Sequence, residues 1–299
     1  MRPETVIAVV GATATGKSDL AIGLAQRLGG EVVNVDSMQL YRGMDIGTAK
    51  LPLADRRGVP HHLLDIWEVT EAASVAEYQR IASDVIDDIQ ARGKVAVLAG
   101  GSGLYVRAAL GDLDFPGTDE VVRARLEAEL AAAGPGPLWD RLKAADPTAA
   151  AAILPSNGRR IVRALEVMEI SGQPFSATMP SYDAGRRAVQ VGIHLPRPEV
   201  DERIEARVDR MFARGLAGEV AALADRHGLR DGKTASRALG YQQVLRYLDG
   251  EWSLEQARDE TVRATRRFAR RQESWFRRDP RVQWAEAGDD LLHRALSLL

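Results

Sequence analysis

The chain has 299 residues, 45% of them hydrophobic and 27% charged, which suits a large α/β domain with a smaller one and excludes a disordered chain. It has no cysteine, so disulfide scaffolds, thiolate metal centres and cysteine nucleophiles are excluded. Forty basic against forty-two acidic residues give a formal charge of −2; the chain is no polycation, and any RNA surface must be a local patch.

Met1 to Thr5 lead straight into the apolar run Val6 to Val10, an opening too short for a secretory signal or a membrane span, so an untargeted cytoplasmic protein is expected. Further apolar runs of strand length follow at Glu31 to Val35, Val95 to Ala99, Val189 to Leu195 and more weakly Val282 to Ala285. Helix-period segments separate the early ones, which predicts a parallel sheet covered by helices on both faces. Between Asp114 and Asp183 the strand pattern stops, and Ala, Arg, Glu and Leu dominate, broken by Gly134-Pro135-Gly136-Pro137 and Asp146-Pro147. A helical insertion over 115–183 is predicted, within a core formed by 1–114 and 184–299. Two helices are expected after Pro198, another over Leu239 to Leu248 and a long one from Leu254 to about Arg278, with Asp249-Gly250 and Asp279-Pro280 at their ends.

Gly11-Ala12-Thr13-Ala14-Thr15-Gly16-Lys17-Ser18 fits G-x-x-x-x-G-K-[ST], directly after the first strand and before the helical run Asp19 to Leu28. The glycines let the backbone curl so that N–H groups and a helix N-terminus meet phosphate oxygens; Lys17 adds charge and Ser18 can hold magnesium (Mg²⁺). The motif implies a di- or triphosphate but not a reaction.

Asp36 ends the second strand, at the carboxyl edge where open α/β sheets bind substrates. It is a candidate base or metal ligand, with a turn or N-cap role as the ordinary alternative. The third strand ends in Gly100-Gly101-Ser102-Gly103 without the acid an ATP motor needs there. That turn reads either as a tight strand-to-helix link or as a way of projecting the Ser102 hydroxyl into the same cleft. His61 and His62 are adjacent and would point to opposite sides of an extended segment, which disfavours zinc.

On the last long helix Arg263, Arg266, Arg267, Arg270, Arg271, Arg277 and Arg278 fall on one arc, and Thr265, Phe268, Ala269, Gln272, Trp275 and Phe276 on the opposite one. Glu260 and Glu273 are the main acids near the arginines, a balance that favours a polyanion surface over a plain solvated face. Arg159, Arg160 and Arg163 open an apolar-periodic helix in the insertion, where a helix N-terminus already favours phosphate.

Taken together, the phosphate loop, the run Asp36 to Lys50, Val59 to Asp65, Gly100 to Tyr105, Asn157 to Val167, Gly240-Tyr241-Gln242 and Thr265 to Gln272 with Trp275 resemble the tRNA dimethylallyltransferase (tRNA isopentenyltransferase) family over nearly the whole chain. The resemblance implies a P-loop NTPase-like parallel sheet flanked by helices, with a helical tRNA-binding insertion. It implies transfer of a dimethylallyl group from dimethylallyl diphosphate to N6 of the adenosine next to the anticodon (position 37) of tRNA, releasing diphosphate. Gly11, Ala12, Thr13, Ala14, Thr15, Gly16, Lys17 and Ser18 would hold the diphosphate, with Mg²⁺ on Ser18. Asp36 would be the general base, with Lys17 and Ser102 completing the catalytic set. Contacts to the anticodon loop would come from Asp36, Ser37, Met38, Gln39, Ser102, Arg123, Arg159, Arg160, Arg163, Arg266 and Arg270. A monomer without membrane association is expected. Three positions depart from the family's habit: Ser102 where Thr is common, Ala12 where Pro is frequent, and Arg159 where relatives can carry Gln.

The rival readings are a small-molecule kinase, which would turn over ATP; a prenyltransferase acting on free adenine nucleotides, which would not need the Arg159 to Arg163 cluster; and a nucleic-acid-binding NTPase switch, which would need an acid at the tip of the third strand.

Overall fold

The apolar runs become the strands of one parallel sheet, and the central ones are buried on both faces. β1 (Val6–Val10) and β2 (Glu31–Asn34) are buried throughout, and β4 (Ala96–Ala99) nearly so. With the edge strand β3 (His61–His62), β5 (Ala188–His194) and β6 (Val282–Glu286) they form a sheet of order β3-β2-β4-β1-β5-β6. The computed structural model describes residues 4–111, 113, 117–178 and 185–299. Strand β3 was not predicted from sequence: two residues paired with Val32 and Val33 are too few to show a period.

The chain divides into two compact units, 1–111 with 185–299 and, by itself, 112–184. The larger carries the sheet with α1 (Lys17–Leu28), α2 (Val75–Ala91) and α3 (Gly103–Ala109) in its first half. The smaller is built from α4 (Glu120–Ala133), α5 (Pro135–Ala145), α6 (Pro147–Ala152) and α7 (Gly158–Ser171), with no strand among its described residues. The larger unit resumes with α8 (Arg197–Ala213), α9 (Leu216–His227), α10 (Tyr241–Leu248), α11 (Leu254–Phe276) and α12 (Leu291–Ser297). Asp114 and Asp183, where the strand pattern of the sequence stops and resumes, lie outside the described residues. Among the described residues no helix is long and apolar enough to cross a membrane.

The smaller unit has its own core, centred on Leu126, Leu142, Ile161 and Leu165. Pro135 and Pro147 open α5 and α6, positions where a missing N–H costs nothing. The fully buried carboxylate of Glu166 takes Arg123 at 2.6 Å and Arg163 at 2.9 Å. These partners hold its carboxyl below the ordinary range against the opposing effect of burial, which is the largest influence on it.

Candidate active site

β1 delivers the chain into the phosphate loop. Gly11, Ala14 and Gly16 take positive φ (136°, 66° and 95°), so successive N–H groups turn toward one concavity. Gly16 is the N-cap of α1 and offers no side-chain cap, so the helix's first N–H groups are left for an anion. Thr15 Oγ1 and Lys17 Nζ both donate to the Ala12 carbonyl, at 2.9 Å and 2.5 Å, which holds the loop in shape. Burial pushes Lys17 down to about 7; the Arg207 cation adds to that push and the Asp36 anion opposes it.

Asp36 takes the turn role and still faces the cavities. One carboxylate oxygen accepts the Met38 N–H at 2.9 Å, an Asx turn, and the Asp36 N–H donates to Asn34 Oδ1 at 2.9 Å. Asn34 is fixed in turn by donating to the Leu63 carbonyl at 2.9 Å. The second carboxylate oxygen has no protein donor among the described residues, and Asp36 lines two adjoining cavities.

The larger cavity, of about 330 Å³, has an apolar side made by Met38, Val208, Met211, Leu239 and Phe268. The smaller, of about 80 Å³, contains Lys17, Ser18, Asn34, Gln39 and His61. Thr13, Asp36, Thr48 and Arg207 line both and form their common wall. Arg207 donates to Thr13 Oγ1 at 2.8 Å; burial lowers its pKa, as does Arg210, while Asp36 raises it.

Sequence reasoning missed Arg207. A signal was present: Val200, Ile204 and Val208 make the buried stripe of α8, and position 207 continues it from 200 and 204. A cation on an apolar stripe calls for an anionic or polar partner inside. Arg271, which stacks over Phe268 with its carbon 5.7 Å from the ring centre, and Arg237 also line the larger cavity and were not singled out as site residues.

The turn after β4 is built on close approach. A Cβ on Gly100 would come 2.7 Å from the Val35 carbonyl carbon, one on Gly101 2.1 Å from Gln272 Nε2, and one on Gly103 2.0 Å from Trp275 Nε1. Ser102 is the N-cap of α3, yet its side chain makes no cap bond and lines the larger cavity. Gln272 ties this turn to the phosphate loop: its Oε1 accepts the Thr13 N–H at 2.8 Å and its Nε2 donates to the Gly101 carbonyl at 2.9 Å.

The wall over 44–48 is fastened from behind. Glu219, in the first turn of α9, accepts the N–H groups of Asp45, Ile46 and Gly47 at 3.2, 2.8 and 3.3 Å and the Tyr241 hydroxyl at 2.5 Å. Buried Lys50 donates to the Tyr41 carbonyl, Asp45 and Asp65 at 2.9, 2.7 and 2.5 Å. Much of the run Asp36 to Lys50 thus serves to hold the wall of the cavities.

The residues expected to meet tRNA separate into groups. Ser37 and Met38 line the larger cavity; Gln39 lines the smaller and donates to the Thr48 carbonyl at 3.0 Å. Arg159 and Arg160 are exposed in the first turn of α7 and have no side-chain partner among the described residues; Asn157 caps the helix by accepting the Arg160 N–H at 3.2 Å. Arg123 and Arg163 are engaged by Glu166. Arg266 donates to Glu205 at 2.7 Å and Arg270 lies 4.0 Å from Asp201. The arginine stripe is therefore balanced by acids of α8 as well as by Glu260 and Glu273, a complement that inspection of α11 alone could not reveal. His62 Nε2 pairs with Glu31 at 2.7 Å and His61 Nδ1 with the Val59 carbonyl at 2.8 Å. Among the described residues no cluster of three or more His, Asp or Glu side chains could hold a metal by itself.

A phosphate loop opening beside a carboxylate, two partly buried cations and an apolar cavity defines a P-loop α/β enzyme of the kind that moves a group off a phosphorylated donor. Residues 39–279 match the IPP transferase family. The chain is 65% identical over 302 residues to a tRNA dimethylallyltransferase of Thermobifida fusca, covering 99% of this chain and 94% of that protein. It is 65% identical over 298 residues to one of Streptomyces coelicolor, covering 98% and 95%. Its fold is similar to the full-length tRNA isopentenylpyrophosphate transferase of Bacillus halodurans, with a TM-score of 0.72, 41% identity and coverage of 99% and 94%. It is also similar to a eukaryotic dimethylallyltransferase acting on tRNA, with a TM-score of 0.83, 25% identity and coverage of 98% and 77%. The chain belongs to the tRNA dimethylallyltransferase family.

Proposed function

We propose that the protein transfers a dimethylallyl group from its diphosphate to N6 of the adenosine next to the anticodon of tRNA, releasing diphosphate. The observation that carries this reading is the common wall: Asp36, Thr13 and Arg207 separate a phosphate-loop cavity from a larger, partly apolar one. A donor with an anionic head and an apolar arm spans such a boundary, and an extruded base can approach the acid from the larger side.

In this reading the allylic C–O bond breaks as the C–N bond forms, and the electron pair leaves on the diphosphate. The N–H groups of the phosphate loop, Lys17 and Arg207 are placed to meet that charge. The free oxygen of Asp36 takes the proton that N6 loses as the C–N bond forms, which assists an amine whose ring-delocalised lone pair makes it a poor nucleophile. The Ser102 hydroxyl, unused by its own helix, hydrogen-bonds at the reacting centre. The apolar side of the cavity excludes water from the allylic carbon.

Ser18 and Asp36 offer oxygen ligands at one cavity, and the few acidic side chains there suit a cation that keeps waters and shares phosphate oxygens. Mg²⁺ fits that description; held by Ser18, it would neutralise the diphosphate. We read a monomer, working on tRNA in the cytoplasm. Incubation with dimethylallyl diphosphate, Mg²⁺ and unmodified tRNA should yield prenylated adenosine on nucleoside mass analysis. ATP consumption with phosphorylation of a small molecule, and no prenylated adenosine, would favour the kinase reading instead.

The insertion supplies the grip on the RNA through Arg159 and Arg160. Arg160→Ala should weaken tRNA binding and lower its salt slope by about one, with unfolding unchanged, because that guanidinium meets only phosphate. Arg163→Ala should instead lower stability to urea by about 1–3 kcal/mol, since it strips a partner from the buried Glu166. Identical behaviour of the two variants in both assays would refute the division.

A further inference from the structure

Thr13 N–H can only donate and the Gly101 carbonyl can only accept, so the group between them must do both, in a fixed order. The Gln272 carboxamide does so, at 2.8 Å and 2.9 Å. A carboxylate could not donate, a lysine or arginine could not accept, and a methionine could not donate and would accept only weakly.

The bridge is also held rigidly. Gln272 is 6% exposed, and Ala269 and Phe276, one turn away on either side of it along α11, are 0% and 2% exposed. Gly101 can approach only because it has no side chain, since its Cβ would stand 2.1 Å from Gln272 Nε2. The two points joined are remote in sequence: Thr13 belongs to the phosphate loop, and Gly101 immediately precedes Ser102. Thr13 is the very residue whose hydroxyl receives Arg207.

We propose that Gln272 is a positioning residue for the transfer: its carboxamide keeps the phosphate loop and the Ser102 turn in register, so that the donor's leaving group and the Ser102 hydroxyl address the same allylic carbon. Gln272 lines neither cavity, so its effect is exerted through Ser102 and the loop. The inference rests on the proposed prenyl transfer, and the wild-type rate in the assay below reports on that reading separately.

The test is single-turnover transfer with saturating dimethylallyl diphosphate and tRNA, using Gln272→Glu and Gln272→Met alone and with Ser102→Ala. Each single variant should slow transfer about 10- to 100-fold, the scale of a misplaced reacting group. Dissociation constants for both substrates should change less than about threefold, because neither contact is to a ligand. In the Ser102→Ala background the further loss from Gln272→Met should shrink to less than about threefold, as expected of two residues acting in one device. Gln272→Glu keeps the shape and the acceptor, so it carries the test if the methionine variant does not fold, as judged by thermal unfolding. Wild-type rates in Gln272→Glu, losses that multiply in full with Ser102→Ala, or donor affinity falling as much as the rate would each overturn the proposal. A wild-type protein that transfers no prenyl group would overturn the parent reading.

Discussion

Asp36→Asn is expected to slow prenyl transfer by about 10²- to 10⁴-fold while binding of tRNA and of dimethylallyl diphosphate changes little. The substitution keeps the Asx turn, because an amide oxygen can still accept the Met38 N–H. It replaces the other oxygen, the one without a protein donor, with an NH₂ group that cannot take a proton. The loss should therefore fall on the chemical step, read as a reduced single-turnover rate at saturating substrates. If Asp36 serves mainly to place Mg²⁺, the defect should be partly corrected by excess Mg²⁺. A variant with wild-type turnover at ordinary Mg²⁺ would leave Asp36 with its turn role alone. A secondary effect follows from charge: Asp36 raises the Lys17 pKa, so its neutralisation should move the Lys17 titration toward acid.

Lys17→Ala should lower kcat/KM by about 10²- to 10³-fold and raise KM for the donor as well, because the negative charge that Lys17 meets is present in the bound diphosphate and grows in the transition state. The pH dependence supplies a sharper signature. In the free protein Lys17 titrates at about 7, lowered mainly by burial. A bound diphosphate favours the charged form, so its pKa is higher in the complex. Below about pH 7 the lysine is charged in both states and contributes no pH dependence. Above it, binding must take up a proton, and affinity should fall up to tenfold per pH unit until the pKa of the complex is reached. Calorimetry in buffers of different ionisation enthalpy would detect that proton. The Lys17→Ala profile isolates whatever the ligand's own ionisation contributes. A pH-independent dissociation constant from 7 to 9 for the wild type would rule out the account.

What could be read from sequence was what is local in it. The phosphate loop, the acid after the second strand and the glycine turn after the third each lie within a few residues, and their spacing carries their geometry. The central strands were legible because burial on both faces writes an apolar run, and β6 more weakly because only part of it is buried; β3 was not, being two residues long. Arg207 and Thr13 are 194 residues apart and Gln272 and Gly101 171, so no periodicity could join them. The partners of the α11 arginines were invisible for the same reason. Arg266 has its partner on α8, and a helical projection shows only one helix's charges. Arg123 and Arg163 carry the same lesson within the insertion, where the buried Glu166 that collects them looks like any other glutamate in a charged helix.

The single carboxylate of Glu219 collects the amides of residues 45, 46 and 47, and that arrangement has a dynamic consequence. The hydrogen bonds of these three amides fall on one acceptor rather than along a ladder of separate bonds. The three amides should therefore open and close together, as a panel on one latch, and exchange with solvent at a common rate. Because Gly47 and Thr48 line the larger cavity, the freedom of that wall is set from α9, by a residue that does not line either cavity. A change at the latch could thus alter how readily substrates enter while leaving every cavity-lining side chain in place.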